Sequence, residues 1–206
     1  MEYYDKYVDK LVINSVSSQD IIDNKPSDII QEYLMNKLDY NILSNTVLQI
    51  AKAAGKEILS IYNQSDVGIS YKDDNSPLTL ADKASNDTIE KELKKITPSI
   101  PILSEEGQNI KFSDRKKWNI FWLVDPLDGT KEFIKKNGEF TVNIALISDG
   151  EPILGVVYAP VIDTIWHGDI KGGSYKIEKN QAPIKIKSIA PQKDKTIKVV
   201  TSRSHT

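Results

Sequence analysis

The segment from Trp122 to Thr130 constrains the fold of this chain more than any other part of the sequence. Its apolar beginning ends in two carboxylates, Asp125 and Asp128, with Pro126 between them and Gly129 directly after. An apolar run that ends in acids predicts a buried strand whose acidic end lies at the edge of a sheet. Proline favours an extended residue before it, and glycine allows the tight turn that follows.

Two carboxylates on so stiff a corner repel each other unless a cation lies between them. Mg²⁺ prefers oxygen ligands of this kind and completes its coordination with water and phosphate oxygens. The segment Asp125 to Asp128 therefore indicates a metal-binding corner, with an Asp-rich surface turn as the simpler alternative.

The composition excludes several other classes of protein. The 27 Lys and Arg residues nearly balance the 29 Asp and Glu residues, which argues against a generic binder of nucleic-acid polymers or membrane surfaces. The chain has no cysteine and only two histidines, so a disulfide, a thiolate site and a multi-histidine zinc centre are excluded or disfavoured. A bound metal must therefore be held mainly by carboxylates.

The beginning of the sequence has neither the basic region nor the apolar run of a signal peptide. No window approaches the ~20 apolar residues that a membrane helix needs. The sequence therefore predicts a cytoplasmic protein without an integral membrane segment.

We divide the chain into a weakly helical N-terminal extension, residues 1–42, and one domain, residues 43–206. Ser44 is a candidate cap for a helix whose apolar face ends at Ile61. The alternation of Val67, Ile69 and Tyr71 predicts a half-buried strand. Beyond these residues we expect a second helix and then mostly antiparallel strands.

The second helix begins at a capping-box pattern in which Thr79 is followed by Asp82, although Asp replaces the usual Glu. Short strands are predicted at residues 101–104 and 119–124. Hairpins are predicted around residues 148–151 and 172–173, with an edge strand at 184–186 and a further strand at 198–201.

Five acids fall where an element begins or ends, namely Asp82, Glu105, Glu106, Asp125 and Asp128. Such positions allow them to converge on one rim of a sheet, and a pair of metal ions about 3.5–4 Å apart can activate water for phosphoryl displacement. Taken singly, each acid has a simpler explanation. Asp82 can stabilise a helix N-terminus by roughly 0.3–1 kcal/mol, and the two glutamates can form a solvated turn.

Three motifs also occur in order along the chain, from Lys72 to Asp82, from Ser104 to Glu106 and from Asp125 to Thr130. Together they resemble the ordered signature of the inositol monophosphatase family. The continuation from Lys131 to Ala145 is similar to the family's bacterial 3′(2′),5′-bisphosphate nucleotidase branch. The resemblance extends from about residue 43 to residue 206.

The resemblance implies an α+β fold, the layered αβαβα sandwich of the inositol monophosphatase-like sugar phosphatases. Two N-terminal helices should cover one face of a large antiparallel sheet. The family has a later Trp-Asp-x-Ala-Ala-Gly segment that completes its second metal site, and nothing of that kind follows His205. The only tryptophan after the acidic corner is Trp166, which His167 follows. We therefore expect the first, antiparallel half to be present and the second truncated, with impaired metal affinity and very low turnover.

The resemblance also assigns roles to individual residues. The implied metal ligands are Glu105, Asp125, the Leu127 carbonyl and Asp128. The implied catalytic residues are Asp82 and Thr130, which would orient the attacking water, and Glu106, which would act near a third ion. The implied substrate contacts are Glu105, Leu127, Asp128, Gly129, Thr130, Ser202 and His205.

The activity implied by the resemblance is a Mg²⁺-dependent phosphomonoesterase that uses two or three ions and is inhibited by Li⁺. Its substrate would be 3′-phosphoadenosine 5′-phosphate, converted to AMP and phosphate in sulfur assimilation. Two alternatives remain open: an inositol- or sugar-phosphate phosphatase of the same family, and an inactive remnant that binds metal or a partner. A homodimer and peripheral association with the cytoplasmic side of the inner membrane are both compatible with the resemblance.

Overall fold

The computed structural model describes residues 39–72, 77–179, 181–190 and 196. Nearly all of the predicted N-terminal extension, the strand predicted at 198–201, Ser202 and His205 lie outside the described residues. The helices of the described part are α1 Tyr40–Tyr62, α2 Leu80–Ile96, α3 Phe112–Arg115 and α4 Thr130–Ile134. The strands are β1 Ser70–Tyr71, β2 Pro77–Leu78, β3 Ile102–Ser104, β4 Ile120–Asp128, β5 Thr141–Ser148, β6 Glu151–Ala159, β7 Thr164–Asp169, β8 Gly173–Glu178 and β9 Ile184–Ile186.

Helix α1 begins earlier than its sequence pattern predicts. Asp39 is its N-cap, and Asp39 Oδ1 accepts hydrogen bonds from the amides of Asn41 at 3.0 Å and Ile42 at 3.2 Å. The prediction that Ser44 caps this helix is wrong, because the aspartate already satisfies the free amides of the first turn. Ser44 is instead a buried helical residue, and its hydroxyl lies 3.3 Å from Nδ1 of His167.

A seven-stranded sheet forms the centre of the fold, in the order β3-β4-β5-β6-β7-β8-β9. Among the described strands of this sheet, the pair β3–β4 is parallel, while the other pairs are antiparallel, as the sequence predicts for the strands after β4. The turn between β5 and β6 places Asp149 and Gly150 at φ of 51° and 82°, values typical of a two-residue type I′ hairpin. The predicted edge strand at the end of the sheet is confirmed as β9.

The two long helices cover one face of this sheet and bury the core. Helix α1 packs against α2 and strands β5, β6 and β7, while α2 packs against β4. Trp122 is fully buried between them, and its indole N–H donates to Thr97 Oγ1 at 2.9 Å. Burying one large apolar side chain stabilises a fold by about 1.5–3 kcal/mol, so the packing of the two helices on the sheet stabilises both layers. The predicted covering of one sheet face by two helices is confirmed.

The predicted half-buried strand from Val67 to Tyr71 is wrong in its burial. Only Ser70 and Tyr71 form a strand, paired with β2, and Ile69 and Tyr71 are 46% and 71% exposed. Gly68, with φ of 61°, turns the chain after the buried Val67, so the alternating side chains do not face the core. In the described part of the chain, no helix is long and apolar enough to cross a membrane.

Candidate active site

The acidic corner is the irregular end of strand β4. The pairing of β4 with β5 shifts register between Asp125 and Asp128, and Gly129 follows with φ of 97° before α4 begins. A Cβ atom at position 129 would lie 2.9 Å from the backbone oxygen of Glu139. Both the left-handed conformation and this close approach require glycine, so the sequence of the corner determines its shape.

Helix α2 supplies a buried carboxylate to this corner through its N-terminal cap. Asp82 Oδ2 accepts hydrogen bonds from Thr79 N at 2.7 Å and from Thr79 Oγ1 at 2.5 Å, which confirms the predicted capping box. The other oxygen, Asp82 Oδ1, accepts from Thr130 Oγ1 at 2.9 Å. Asp82 is completely buried, so these hydrogen bonds satisfy a carboxylate that water does not reach.

A second contact ties the same helix to the backbone of the corner. Ser85 lies one turn after Asp82 and is fully buried, and its hydroxyl donates to the carbonyl oxygen of Pro126 at 2.7 Å. Leu127, the next residue, is buried, and its carbonyl oxygen lies 3.3 Å from the Thr130 hydroxyl. Helix α2 therefore fixes the position of the chain between the two aspartates.

Strand β3 brings two glutamates to the same edge of the sheet. It pairs in parallel with β4, so both strands end on the same side, and the amide of Glu105 donates to the carbonyl oxygen of Val124 at 3.1 Å. The acidic segments therefore lie near one another, and their convergence on a shared metal stays a prediction. Negative charge from Asp82 acts on Glu106, and negative charge from Glu105 and Asp128 acts on Asp125.

Asp125 has the most strongly perturbed carboxyl group of the corner. Its Oδ1 atom is buried and has no hydrogen-bond partner. Burial, the charges of Glu105 and Asp128, and a hydrogen bond with the Glu105 side chain raise the pKa of Asp125 to about 7, although the amide of Leu127 donates a hydrogen bond that lowers it. An unpartnered, buried carboxylate oxygen near other negative charges is favourable only beside a cation or a proton.

Asp128 is held from the neighbouring strand by side chains that the sequence analysis did not assign. Asn143 Nδ2 donates to Asp128 Oδ2 at 3.2 Å, and Thr141 Oγ1 lies 3.1 Å from Asn143 Oδ1. Both residues alternate with buried apolar residues along β5. That alternation is the only signal in the sequence that places them on the same side of the strand.

Lys72 is a further residue that the sequence analysis left without a role. Its Nζ lies 2.9 Å from Glu105 Oε1 and 2.6 Å from Glu106 Oε1. Burial lowers the pKa of Lys72, but hydrogen bonds to Glu106 and Glu105 outweigh burial and raise it. At Glu106 the balance is reversed, since burial raises its pKa more than Lys72 lowers it.

The donors at this corner fit a hard divalent cation. All of them are oxygen atoms, and the buried Oδ1 of Asp125 lacks a partner that a metal ion would supply. In the described ranges, however, no three acidic or histidine side chains converge tightly enough to hold a metal as they stand. Three of the carboxylates already have other partners, since Lys72 pairs with Glu105 and Glu106 and Asn143 donates to Asp128.

An open cleft of about 540 Å³ lies beside the corner. Glu105, Asp125 and Asn143 line one end of it, and apolar residues of the central strands, including Leu123 and Val157, line the other. Its volume is in the range of small-molecule sites. The structure thus places Asp82, Thr130, Asp125, Leu127, Asp128, Gly129, Glu105 and Glu106 around one corner, and their individual roles stay predictions.

Comparison with known proteins identifies the family. The model of the inositol monophosphatase family matches residues 39–206. The 3′(2′),5′-bisphosphate nucleotidase CysQ of Buchnera aphidicola is 50% identical over 145 residues, covering 66% of this chain and 54% of the relative. The corresponding protein of Escherichia coli K12 is 46% identical over 161 residues, covering 77% of this chain and 63% of the relative.

The fold is similar to solved structures of the same family. The crystal structure of CysQ from Bacteroides thetaiotaomicron has a TM-score of 0.60 and 38% identity, and the match covers 78% of this chain and 55% of that chain. The chain therefore spans a little over half the length of these relatives. Three observations indicate the same family: the family match over residues 39–206, the α+β fold and the acidic corner. The chain belongs to the inositol monophosphatase family.

Proposed function

We propose that this chain is part of a Mg²⁺-dependent phosphomonoesterase that acts on a nucleoside 3′,5′-bisphosphate. One observation carries the proposal: the hydrogen-bonded series Thr130–Asp82–Thr79 lies beside the acidic corner that contains the unpartnered Asp125 Oδ1. A fixed hydroxyl next to a cation-binding corner is suited to hold a water molecule for attack on phosphorus.

The hydroxyl of Thr130 has a defined direction in this series. Its single hydrogen has two acceptors within reach, Asp82 Oδ1 at 2.9 Å and the carbonyl oxygen of Leu127 at 3.3 Å, and donation to the closer one leaves the lone pairs of Oγ1 available as acceptors. A water molecule at Thr130 can donate to Oγ1 and turn one of its own lone pairs towards a substrate bound at the corner. Because Asp82 is held on its other oxygen by Thr79, the whole series is oriented before substrate arrives.

The carboxylates are suited to hold the metal and to position the substrate. We expect Glu105, Asp125, Asp128 and the carbonyl oxygen of Leu127 to be the ligands. Bound Mg²⁺ would lower the pKa of a ligated water and neutralise the charge that develops on the phosphoryl oxygens. The amides of Gly129 and Thr130 would donate to phosphate oxygens where α4 begins.

The substrate class is inferred from the relatives, whose name specifies a bisphosphate nucleotide. We propose 3′-phosphoadenosine 5′-phosphate, with AMP and phosphate as products. The second candidate is an inositol phosphate, which the family description favours. The cytoplasmic location, inhibition by Li⁺ and formation of a homodimer stay predictions.

The test compares phosphate release from 3′-phosphoadenosine 5′-phosphate and from inositol 1-phosphate, each with Mg²⁺ and with EDTA. We expect weak release from the nucleotide that requires Mg²⁺ and that falls to the background rate in Thr130→Ala, because the water loses its acceptor. Thr88→Ala, at a half-buried position of α2, is the matched control and should keep its activity. Unchanged release by Thr130→Ala would contradict the proposed role of the series, and Mg²⁺ binding without any release would favour the inactive remnant.

A further inference from the structure

Lys72 occupies the position between the two glutamates of the corner. It follows strand β1 directly, and its Nζ contacts Glu105 Oε1 at 2.9 Å and Glu106 Oε1 at 2.6 Å. The three side chains differ in exposure, since the side chain of Lys72 is 23% exposed, that of Glu105 55% and that of Glu106 9%. The ammonium group therefore lies between a nearly buried carboxylate, that of Glu106, and an exposed one, that of Glu105.

Glu105 interacts both with the acidic corner and with Lys72. Glu105 lies at the end of β3, where its charge acts on Asp125, yet its carboxylate is also bound to Lys72. Glu106 is the less exposed partner and the closer one, so it holds Lys72 more firmly than Glu105 does. Exposed ion pairs contribute only about 0–1 kcal/mol, so a divalent cation can take over the exposed partner.

We propose that Lys72 is an internal counterion that competes with the divalent metal for Glu105, and that metal binding moves its ammonium group onto Glu106 alone. This inference rests on the proposed metal site. Lys72 would bind no metal itself but would lower the metal affinity of that site. An ammonium group and a metal ion on the same carboxylate repel each other, so each weakens binding of the other. By the same coupling, removing the lysine must strengthen metal binding.

Calorimetric titration with MgCl₂ alone tests this inference without any turnover. We expect Lys72→Met to bind Mg²⁺ about tenfold more tightly than the unchanged chain, which is within the usual range of such couplings. Lys72→Arg keeps the positive charge and should bind within about twofold of the unchanged chain. Lys83→Met makes the same change of net charge at an exposed position of α2 and should also leave the affinity nearly unchanged.

The outcomes separate this inference from the proposed function. Equal or weaker Mg²⁺ binding by Lys72→Met, beside measurable binding by the unchanged chain, would overturn the inference and leave the phosphatase proposal standing. A tenfold gain in both methionine variants would also overturn it, because net charge alone would then account for the effect. If no variant binds Mg²⁺, the metal site and this inference both fall. The Mg²⁺-dependent rise in melting temperature gives a second reading and reports whether each variant is folded.

Discussion

Replacing Asp125 by asparagine should stabilise the metal-free protein and abolish its stabilisation by Mg²⁺. The carboxylate of Asp125 has one buried oxygen without a partner and lies near the charges of Glu105 and Asp128. Asparagine has nearly the same shape and keeps an acceptor for the amide of Leu127, but it removes the charge. The repulsion is therefore lost together with a metal ligand.

The pKa of Asp125 determines the magnitude of this effect. An ordinary aspartate has a pKa of 3.8 and Asp125 a pKa of about 7, and each pKa unit corresponds to about 1.4 kcal/mol. The resulting ceiling of about 4 kcal/mol must be reduced for solvent screening of a half-buried group, which leaves about 1–2 kcal/mol. The cost exists where Asp125 is charged, above pH 7, and it disappears as the pH falls towards 4.

Thermal unfolding at pH 8 measures both parts of this prediction. In EDTA, Asp125→Asn should melt about 2–8 °C above the unchanged chain, since 1 kcal/mol corresponds to about 2–4 °C in a protein of this size. With Mg²⁺ at 100 times its dissociation constant, the unchanged chain should gain about 2.7 kcal/mol and the variant almost nothing. Asp87→Asn, at an exposed position of α2, is the control and should behave as the unchanged chain in both conditions. A variant that is less stable in EDTA, or that gains as much from Mg²⁺, would refute the reasoning.

Two further predictions concern stability. Gly129→Ala should lower the free energy of unfolding by about 1–3 kcal/mol in urea, because φ is 97° and the new Cβ would lie 2.9 Å from the Glu139 oxygen. Gly150→Ala has a similar φ of 82° with nothing within 4 Å, so a loss as large as that at Gly129 would contradict the role of the close contact. Burial lowers the pKa of His167 from its ordinary value of 6.5 more than Asp169 raises it, so the unfolded chain binds the proton better and stability should decline as the pH falls below about 6.5. Urea denaturation of His167→Gln between pH 5 and 8 should show a flatter decline, and an unchanged slope would exclude His167 as its source.

The elements that the sequence predicted correctly are those that local rules determine. The capping box at Thr79 and the hairpin at Asp149 and Gly150 need only neighbouring residues, and both are present in the structure. The errors arose where two local signals competed. At the start of α1 the aspartate at position 39 caps the helix in place of Ser44, and after Val67 a turn at Gly68 prevents the alternation from facing the core.

In the candidate site, the sequence likewise predicts the positions of the acids but not their partners. Its acids lie at the ends of strands and at the start of a helix, where the sequence pattern alone marks them. Their partners come from distant segments, since Lys72 meets Glu105 across 33 positions and Ser85 meets Pro126 across 41. A single sequence has no local signal for such contacts, because they depend on how the sheet and α2 pack.

Asp82, the acidic partner in the capping box of α2, takes part in both a local and a long-range contact. A capping box ordinarily has Glu or Gln at its third position, and this chain has Asp82 there. The shorter side chain bonds to Thr79 with one oxygen and presents the other to Thr130 across 48 positions of sequence. A local rule is thus satisfied by an unusual residue whose second oxygen serves a long-range contact. Such departures are expected where a sequence must meet a functional requirement in addition to folding. Asp82 therefore both starts the helix and orients the hydroxyl of Thr130.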